Sequence, residues 1–458
     1  MFKKIQHIHF VGIGGSGMSG IAEVLITLGY KVSGSDMKET EVTQRLKSLG
    51  ATLFIGHAAD QVTGAQVVVT STAVSADNPE VLSAKAQSIP VIPRIEMLAE
   101  LARLKYTIAI AGTHGKTTTT SMVASVLEAG GLDPTVIVGG RLKHINSGAH
   151  LGRGDYLVAE ADESDGSFLK LSPALAIITN IDNDHLDYYG TFERIAEAFV
   201  WYAGRVPFYG CVIACVDDAA VRQQIPHMTR RVVTYGLDPT AHCRGEALQP
   251  NGEGTSFDVT VKDERQGRIE LKVPGKHNVL NALAAVVVGQ ELGIPFSQIA
   301  KGLQAFEGVG RRLELKGEHQ GITVIDDYGH HPTEIRATLA ALRERYPKRR
   351  LVAVFQPHRY TRTQALAKDF ADSFKEADRV FVLDIYPAGE KPIPGVTSAL
   401  IVDRLKPQHP SASALSSQEI VECLRKDLRP GDVVLTLGAG DVWKLGEQLL
   451  DSHMPSRT

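Results

Sequence analysis

The sequence predicts an α/β protein of three domains built on mostly parallel sheets. Three observations lead to this prediction: apolar strand-like runs alternate with helical patterns, two such runs end in glycine-rich loops, and the chain has 458 residues. Strand–helix alternation is typical of parallel sheets covered by helices, and this length suggests about three domains. We place the domains at residues 1–104, 105–307 and 308–458.

Composition argues against several classes of protein. A hydrophobic share of 43% and a charged share of 22% are those of an ordinary soluble protein, and a net charge of −3 argues against a nucleic-acid binder. The N-terminal apolar run stops at glycines, unlike a signal peptide, and no run of about 18 apolar residues predicts a membrane span. We therefore expect no nucleic-acid or membrane partner, and a monomer or weak homodimer. The cysteines lack C-x-x-C spacing, so we expect reduced thiols in a cytoplasmic protein: Cys211, Cys215, Cys243 and Cys423.

The first domain opens with a glycine loop between a strand and a helix. We predict its strands at residues 6–12, 31–35, 66–70 and 89–92. Gly12, Gly14 and Gly17 match G-x-G-x-x-G, and Asp36 follows at the ribose-binding distance of about 20 residues. Three interpretations stay open: a dinucleotide site, a site for one nucleotide diphosphate, or a tight turn without a ligand. A domain of about 100 residues is small for a full dinucleotide fold, which favours the nucleotide diphosphate.

The second domain begins with a phosphate-binding loop. The stretch "YTIAIAGTHGKTTTTSMVASVLEAGG", residues 106–131, is an apolar strand that breaks into Gly-Thr-His-Gly-Lys-Thr and continues as a helix. In such a loop backbone N–H groups face an anion, Lys116 neutralises it, and Thr117 offers its hydroxyl to magnesium. Ile110 stands where the full pattern has its first glycine, so the loop is a shortened one.

Acidic clusters follow two further strands of this domain. "YLVAEADESDGSF" ends a strand at Glu160, and "ALAIITNIDNDHLDYYG" ends one at Asn180 with His185 beyond it. A carboxylate at a strand end beside a phosphate loop is where the magnesium of a nucleotide finds its protein ligand. The alternative is a solvated acidic loop with a surface histidine. Because several clusters share one domain, the pattern favours a metal site.

The rest of the chain shows a less regular section and then renewed alternation. Residues 236–275 are rich in glycine and charge and predict an antiparallel hairpin region. The third domain alternates the strands "GITVIDDY", "RLVAVFQ", "RVFVLDIY" and "DVVLTLGAG" with helices that we expect to begin at Pro332 and Thr363.

Seven motifs, in order along nearly the whole chain, resemble those of the Mur ligases: "AGTHGKTTTT", "EADESD", "TNIDNDHLDYYG", "PGKHNVLNALAA", "GVGRRLE", "DDYGHHPTEI" and "FQPHRYTRT". The shortened loop is explained by this resemblance, since the family has A-x-A-G-T-x-G-K-T. The resemblance implies a Rossmann-like N-terminal domain for a UDP-sugar, a central ATPase domain with a parallel sheet, and a Rossmann-like C-terminal domain for an amino acid.

The resemblance also implies an activity and its partners. We expect ATP and Mg²⁺ as cofactors and UDP-N-acetylmuramate and L-alanine as substrates, joined at the lactyl carboxylate in cytoplasmic peptidoglycan precursor synthesis. Several family members carry a carbamylated lysine after the "DHLD" motif. The stretch "TFERIAEAFVWYAGRVPFYG" contains no lysine, so we assign no such modification.

Site residues carry over from the resemblance by position. The expected catalytic residues are Lys116, Arg312, Asp327 and His330. The expected ATP site comprises Gly112, Thr113, His114, Gly115, Lys116, Thr117, Thr118, Asn278, Asn281, Arg312 and Asp327. The expected residues for the other substrates are Gly14, Gly15, Ser16, Gly17, Asp36, His57, Ser71, Thr72, Arg94, His331, Arg359 and Arg362. The expected metal ligands are Thr117, Glu160 and His185.

The third domain supplies candidates for handling the amine. His330 or His331 is a candidate general base by position, with a helix-start or packing role as the alternative. Arg359 and Arg362 are three residues apart, so on a helix both would reach one face, where their planar guanidinium groups suit an α-carboxylate. The alternative for these arginines is a surface salt bridge.

Three rival functions remain at this stage. A nicotinamide-dependent oxidoreductase built on the first glycine loop leaves "AGTHGKTTTT" and both acidic clusters without a role. A nucleotide-dependent switch leaves the arginines and histidines of the third domain without one. Within the ligases, the rival attaches a recycled tripeptide to the same sugar nucleotide.

Overall fold

The structure, a computed structural model, describes residues 5–15, 17–71, 73–142, 147–252 and 254–451. Three sheets organise these residues, of five, ten and six strands. The strands are β1 His7–Val11, β2 Lys31–Asp36, β3 Thr52–Ile55, β4 Val67–Thr70, β5 Val91–Pro93, β6 Tyr106–Ala111, β7 Thr135–Leu142, β8 Ser147–His150, β9 Tyr156–Glu160, β10 Leu175–Ile178, β11 Cys211–Cys215, β12 Val232–Gly236, β13 Cys243–Asn251, β14 Gly254–Val261, β15 Glu264–Leu271, β16 Glu314–His319, β17 Ile322–Asp327, β18 Leu351–Phe355, β19 Arg379–Val382, β20 Ser413–Ala414 and β21 Val433–Leu437.

Helices cover these sheets, as the alternation of the sequence predicts. They are α1 Met18–Thr27, α2 Glu41–Ser48, α3 Pro79–Ala86, α4 Arg94–Ala102, α5 Lys116–Ala129, α6 Leu186–Tyr189, α7 Phe192–Gly204, α8 Ala219–Gln224, α9 Lys276–Glu291, α10 Phe296–Ala305, α11 Pro332–Arg345, α12 Tyr360–Ala371, α13 Ala399–Leu405, α14 Ser417–Asp427 and α15 Trp443–Leu450.

The five-stranded sheet has the order β3-β2-β1-β4-β5. Every pair of neighbours in it is parallel. Its central strand is buried on both faces, with the apolar Ile8 and Phe10 on one face and His7 and His9 on the other, as expected of a parallel strand covered on both sides. From β1 the strand order continues outward on one side through β2 and β3 and on the other through β4 and β5. The loops after β1 and β4 therefore lie where the strand order reverses, which is where such sheets bind ligands.

The ten-stranded sheet has the order β15-β14-β13-β12-β11-β10-β6-β9-β7-β8. Its β6, β9, β10, β11 and β12 pair in parallel, and β8 pairs antiparallel with β7. The hairpin region expected at residues 236–275 is present as β13, β14 and β15. Lys262 and Asp263, between β14 and β15, both have positive φ, as a type I′ hairpin turn requires.

The six-stranded sheet has the order β16-β17-β21-β18-β19-β20. Its pairs are parallel except for the edge strand β16, which is antiparallel to β17. The predicted strands of the third domain are all in this sheet. Helix α11 begins at Pro332 as predicted, whereas α12 begins at Tyr360 rather than Thr363.

The chain packs as two compact units. The first unit contains residues 1–247, 257–269 and 280–306, and the second contains residues 248–256, 270–279 and 307–458. The first unit therefore holds the five-stranded sheet and most of the ten-stranded one, and the second holds the six-stranded sheet. The α/β class with three sheet domains is confirmed, while the boundaries at 104/105 and 307/308 stay predictions.

Two smaller expectations concern the thiols and the membrane. All four cysteines are free, and burial raises the pKa of Cys211, Cys215 and Cys243 to about 12, so these three thiols are inert. Among the described residues, no helix combines the length and apolar character needed to cross a bilayer.

Candidate active site

The phosphate-binding loop lies between β6 and α5, as predicted. Gly112 has a φ of +133°, and Gly115 precedes the helix in the left-handed region with a φ of +83°. A Cβ atom on Gly112 would lie 2.0 Å from Thr179 Oγ1, and one on Gly115 would lie 2.7 Å from Asn281 Oδ1. Only glycine fits at both positions, so the loop turns tightly and presents backbone N–H groups at the start of α5.

Residues after β10 hold this loop in place. Asn180 Oδ1 accepts from the backbone N–H of His114 at 2.8 Å, and Thr179 Oγ1 donates to its carbonyl at 2.7 Å. The His114 imidazole lies 2.9 Å from Asp182 Oδ2, and the backbone N–H of Asp182 donates to Thr113 Oγ1 at 2.9 Å. The loop is therefore fixed on two sides before any phosphate binds.

Lys116 forms a buried ion pair at the base of the loop. Its Nζ donates to the Gly112 carbonyl at 2.7 Å and to both carboxylate oxygens of Glu163 at 2.9 Å. Burial lowers the pKa of Lys116, but the Glu163 carboxylate outweighs it and holds the pKa above its ordinary value. The lysine is charged and its position is fixed.

Glu163 is a site residue that the sequence analysis did not select. It is 1% exposed, and the Tyr189 hydroxyl donates to its carbonyl at 2.6 Å. The signal was the run "EADESD", but four acidic residues in six positions do not reveal which one meets the lysine. Only the fold separates Glu163 from its neighbours.

Two of the three expected metal ligands lie together. Glu160, at the end of β9, accepts from the backbone N–H of Gly139 at 3.0 Å and from the Thr117 hydroxyl. Burial raises the pKa of Glu160, and these two donors partly offset the shift. A carboxylate and a hydroxyl beside a phosphate loop are the hard oxygen donors that Mg²⁺ prefers, so these residues fit that ion.

The third expected metal ligand lies beside Glu163. His185 Nε2 is 4.0 Å from Glu163 Oε1 and 3.7 Å from Asp184 Oδ2. His185 itself has a φ of +58°, a conformation uncommon for a residue with a side chain. Its imidazole therefore belongs to the acidic surroundings of Lys116, and its role as a metal ligand stays a prediction.

The N-terminal glycine loop is hydrogen-bonded to Asp36, the last residue of β2. Gly12 and Gly17 both have a φ of +77°, and the backbone N–H of Gly14 donates to Asp36 Oδ2 at 2.8 Å. A Cβ atom on Gly14 would lie 2.9 Å from that oxygen, whereas Gly15 has no such carboxylate neighbour. Asp36 thus fixes the loop itself. Ser16 and Thr72, also expected here, lie outside the described residues.

Arg94 connects the two loops within the first unit. A Cβ atom on Gly17 would lie 2.5 Å from Arg94 Nη1, and Arg94 Nη2 lies 3.4 Å from Asp162 Oδ2. Asp162 belongs to the acidic run after β9. The structure therefore brings the N-terminal loop and the surroundings of the phosphate loop to the same arginine, which the sequence analysis placed with the sugar nucleotide.

Within the second unit, Asp327 ends β17 as a buried carboxyl. It accepts from the backbone N–H of Leu313 at 2.8 Å and of Gly329 at 2.7 Å. Burial raises its pKa to about 6, against the lowering effect of Arg312 and these two donors. Arg312 Nη1 lies 3.5 Å from Glu334 Oε1, so the guanidinium interacts with the carboxyl groups of both Glu334 and Asp327.

The two adjacent histidines have different surroundings. His330 Nδ1 lies 3.1 Å from the Tyr328 carbonyl and so donates its proton there, and burial lowers the pKa of His330 to about 3. It is neutral at pH 7 with Nε2 as the acceptor nitrogen. His331 precedes α11 and its Nδ1 accepts from the backbone N–H of Thr333 at 3.3 Å, which matches the helix-start alternative.

The two expected arginine ligands flank the start of α12. Arg359 has a φ of +72°, and its backbone N–H donates to the Tyr386 carbonyl at 2.9 Å. Arg362 is 8% exposed with Nη1 3.4 Å from His358 Nδ1. A buried guanidinium argues against the surface salt-bridge alternative for Arg362.

Two stacked rings lie beside Arg362. The His358 ring stacks on Tyr386 with centroids 5.7 Å apart and packs edge-on against His330 at 5.5 Å. Neither His358 nor Tyr386 was selected from the sequence as a site residue. Their pairing could not be found there, because β18 and β19 bring them together across the sheet.

The two asparagines of the expected adenine motif differ in their contacts. Asn281 Oδ1 accepts from Thr119 Oγ1 at 3.1 Å, which places it against α5 beside the phosphate loop. Asn278 Nδ2 donates to the Pro274 carbonyl at 2.7 Å, and this residue belongs to the second unit. Their adenine-binding role stays a prediction, as do the places of Thr118 in the ATP site and of Ser71 in the sugar-nucleotide site.

Matches to known proteins extend over nearly the whole length of the chain. Three family models match in succession: "Mur ligase family, catalytic domain" at residues 7–106, "Mur ligase middle domain" at 110–289, and "Mur ligase, glutamate ligase domain" at 311–440. A UDP-N-acetylmuramate–L-alanine ligase of Endomicrobium trichonymphae is 58% identical over 98% of this chain and 99% of its own. One from Geobacter sp. strain M21 is 55% identical over 98% of both chains.

Solved structures agree with these relatives. The UDP-N-acetylmuramate-alanine ligase of Thermotoga maritima is 33% identical with a TM-score of 0.82, over 98% of this chain and 100% of its own. A murein peptide ligase of Psychrobacter arcticus is 25% identical with a TM-score of 0.73, over 99% of both chains.

Proposed function

The chain belongs to the Mur ligase family, and we propose that it joins L-alanine to the lactyl carboxylate of UDP-N-acetylmuramate, with ATP converted to ADP and phosphate. The arrangement that carries this proposal is the phosphate loop with its Lys116–Glu163 pair, reached through Arg94 from a second glycine loop. Two nucleotide-type loops in one unit suit an enzyme that uses a nucleoside triphosphate on a nucleotide-linked substrate. Relatives at 58% and 55% identity carry that activity in their names.

The reaction needs the carboxylate to acquire a leaving group. The lactyl carboxylate takes the γ-phosphoryl group and becomes an acyl phosphate, and the alanine amine then replaces the phosphate through a tetrahedral adduct. Catalysis of the first step depends on positive charge and oriented N–H groups around the phosphoryl oxygens. Lys116 and the backbone N–H groups of residues 115–118, at the start of α5, supply these in the first unit, and Arg312 is the candidate in the second.

Thr117 and Glu160 are the residues that would hold Mg²⁺. When bound, the ion supplies positive charge beside the transferring phosphoryl group. The raised pKa of Glu160 shows that burial disfavours its ionised form, so a cation beside it would remove that cost. We propose His185, whose Nε2 lies 4.0 Å from Glu163 Oε1, as a further ligand.

The attacking amine must lose its proton. His330 is neutral at pH 7, with Nδ1–H donated to the Tyr328 carbonyl and Nε2 left to accept. In that state its Nε2 can accept a hydrogen bond from the deprotonated amine and orient it as the tetrahedral adduct forms. We propose this role for His330, and the helix-capping role for His331.

Arg359 and Arg362 form the proposed acceptor clamp, the pair of guanidinium groups that binds the incoming amino acid. The α-carboxylate of an amino acid matches the planar fork of a guanidinium. His358, stacked on Tyr386, has its Nδ1 3.4 Å from Arg362 Nη1, and we infer that these rings form a wall beside the clamp. A compact clamp favours one small amino acid over a tripeptide, whose carboxylate lies far from its amine.

The proposal also includes a cellular compartment and an oligomeric state. The enzyme works in the cytoplasm, where ATP and nucleotide-linked sugars are present, and as a monomer or weak homodimer. Neither depends on the geometry of the site.

Phosphate release tests the proposed function. We expect release only when ATP, UDP-N-acetylmuramate and L-alanine are all present with Mg²⁺, because the acyl phosphate forms on the sugar nucleotide and turns over only with an amine. The assay is repeated with each of the 20 common amino acids in place of L-alanine. Equal release without UDP-N-acetylmuramate, or a preference for a large amino acid, would refute the proposal.

A further inference from the structure

A hydrogen-bonded chain of buried polar side chains runs along one face of the first sheet, on β1 and β2. His7 Nδ1 lies 2.9 Å from the Gly64 carbonyl and its Nε2 lies 2.8 Å from Ser33 Oγ. Ser33 Oγ lies 2.8 Å from His9 Nδ1, and His9 Nε2 lies 2.5 Å from Glu80 Oε2. His9 and Glu80 are 0% exposed, so water reaches neither of them.

The other carboxylate oxygen of Glu80 faces a residue at the edge of the site. Glu80 Oε1 accepts from Ser35 Oγ at 2.7 Å and lies 2.6 Å from His57 Nδ1. Ser35 is 0% exposed, whereas the His57 side chain is 21% exposed. The chain therefore ends in an imidazole that solvent and ligands can reach.

Counting protons fixes the charge of this chain. Its four hydrogen bonds, from the Gly64 carbonyl through His7, Ser33 and His9 to Glu80, need four protons, because an acceptor stands at each end. Two neutral imidazoles and one hydroxyl provide only three. One additional proton must be present, either on an imidazole or on the Glu80 carboxyl.

The surroundings show where that proton lies. Burial lowers the pKa of His7, which keeps this imidazole neutral. Burial alone would raise the pKa of Glu80, but hydrogen bonds from His9, Ser35 and His57 outweigh it and hold the pKa below its ordinary value. Glu80 also lies in the first turn of α3, where the helix dipole favours a negative charge. The His9–Glu80 contact is therefore a buried pair in which Glu80 is the carboxylate.

Such a pair adds little stability by itself. Replacing a buried ion pair by apolar residues of similar volume is often neutral or stabilising, so a fully hydrogen-bonded carboxylate here calls for another explanation. Its one contact with a reachable side chain is the bond to His57. With Nδ1–H donated to Glu80, the His57 ring cannot flip, and Nε2 points away from the carboxylate.

The position of His57 suggests what Nε2 contacts. Gly56 and His57 directly follow β3, and the Gly56 N–H donates to the Asp36 carbonyl at 2.9 Å, so His57 lies at the strand edge that carries the glycine loop. That loop, residues 12–17, contains no basic side chain, and its Gly14 N–H is bonded to the Asp36 carboxylate. A diphosphate at this edge needs cationic donors from outside the loop, and Arg94 beside Gly17 is one of them. Within the described part of the chain, the His57 contacts all involve Nδ1.

We propose that Glu80 is a positioning residue that directs His57 Nε2 toward an anionic oxygen of the nucleotide diphosphate. This inference depends on the proposed function, since it takes the N-terminal loop as the site of the sugar nucleotide. The buried carboxylate accepts from Nδ1–H and holds the imidazole in one orientation, and in the complex Nε2–H donates to the diphosphate. The hydrogen bond from His9 keeps Glu80 ionised and in place.

UDP binding, measured by titration calorimetry, tests the pairing of Glu80 with His57. Glu80→Gln and His57→Ala should each weaken UDP binding by about tenfold, the usual size for a charge-assisted hydrogen bond. The double variant should bind no more weakly than His57→Ala, because Glu80 acts through His57. The KM values for ATP and L-alanine should not change. A purely structural Glu80 would instead weaken UDP binding equally with and without His57.

Two further variants complete the design. His7→Gln interrupts the chain at its far end and should lower the melting temperature with UDP affinity unchanged. If Glu80→Gln fails to fold, Ser35→Ala replaces it, because Ser35 Oγ contacts both Glu80 and His57, and about a threefold loss is expected. Wild-type affinity in Glu80→Gln, or in Ser35→Ala, would overturn the inference alone. A wild-type protein that does not bind UDP would overturn the proposed N-terminal site as well.

Discussion

Single residues of the phosphate loop illustrate how far sequence reasoning reaches. Lys116, Thr117 and Glu160 follow from motif and strand position, because the loop chemistry requires a cation, a hydroxyl and a strand-end carboxylate at those places. Glu163 and the His358–Tyr386 stack do not follow. Which acidic residue of a run meets the lysine, and which rings stack across two strands, depends on side-chain packing that no local pattern specifies.

Replacing Lys116 by alanine should abolish ligation while UDP binding persists. The lysine is the charged group at the base of the phosphate loop, whereas the sugar nucleotide is assigned to the other loop. Turnover should fall below about a tenth of wild type, a loss above roughly 1.4 kcal/mol in transition-state stabilisation. Steady-state phosphate release and UDP calorimetry are measured on the same preparation.

The control for Lys116→Ala is Lys170→Ala. Lys170 pairs with Glu96 at 3.2 Å on the surface of the same unit, with 47% of its side chain exposed, so turnover should not change. Retention of more than about a tenth of wild-type turnover in Lys116→Ala would mean that the lysine does not neutralise the phosphoryl group.

Arg359→Ala and Arg362→Ala should raise the KM for L-alanine far more than the KM for ATP. Their guanidinium groups are assigned to the α-carboxylate of the acceptor, which ATP does not share. Arg404→Ala, on the exposed face of α13, is the matched control and should leave both constants unchanged. A larger rise in the KM for ATP would move these arginines to the nucleotide.

Secondary-structure elements were predictable where the chemistry is strongly patterned. The buried strands β1, β4 and β6 are largely apolar runs, β1 and β6 each end at a glycine, and α11 starts at a proline, so their positions follow from the sequence. Strand β3 was missed, because its residues TLFI are half exposed and show no regular alternation. Helix α12 starts earlier than predicted because Arg359, at a φ of +72°, takes the capping position that was expected nearer Thr363.

Gly112→Ala should disable the phosphate loop. The new methyl group would lie 2.0 Å from Thr179 Oγ1 in a backbone conformation that L-residues rarely adopt, with a φ of +133°. ATP binding, followed by calorimetry, should be lost. Gly131→Ala is the control, since it has a positive φ of +75° with nothing within 4 Å and so isolates backbone strain from close approach. Equal effects of both variants would show that strain alone is responsible.

Acid should destabilise the elements of the second unit through two buried imidazoles. Burial lowers the pKa of His277 to about 4 and that of His330 to about 3, from an ordinary value of 6.5. Between pH 6.5 and these values the unfolded chain binds more protons than the folded one, so stability falls as pH falls. Urea midpoints measured from pH 7 to 4.5 should decrease less steeply in His277→Gln and His330→Gln.

Asp327 provides a control of opposite sign. Its pKa is raised from 3.8 to about 6, so between these values the folded chain binds more protons and this group adds stability as pH falls. Asp327→Asn should therefore make the acid dependence steeper. A slope unaffected by all three substitutions would mean that these groups do not titrate differently in the folded and unfolded chains.

At the scale of the whole molecule, the number of sheet domains was predictable and their grouping was not. Alternating strands and helices, two glycine loops and the chain length predict three α/β domains, and three sheets are present. The compact units cut across that order, however: Asn278 and Asn281 lie one helical turn apart in α9 but in different units. Motif order gives the domains, whereas grouping depends on packing between segments distant in sequence.

The most direct test of the account is a competition for the activated sugar nucleotide. With ATP, Mg²⁺ and UDP-N-acetylmuramate, L-alanine and L-alanyl-γ-D-glutamyl-diaminopimelate are supplied together at equal concentration, and the products are identified by mass spectrometry. The clamp of Arg359 and Arg362 beside the His358–Tyr386 rings predicts UDP-N-acetylmuramoyl-L-alanine as the product, with glycine and L-serine acting only as slow substitutes in separate assays, since a single methyl group is worth about 1–3 kcal/mol. Preferential formation of the tripeptide product would contradict the account and identify the enzyme as the recycling ligase.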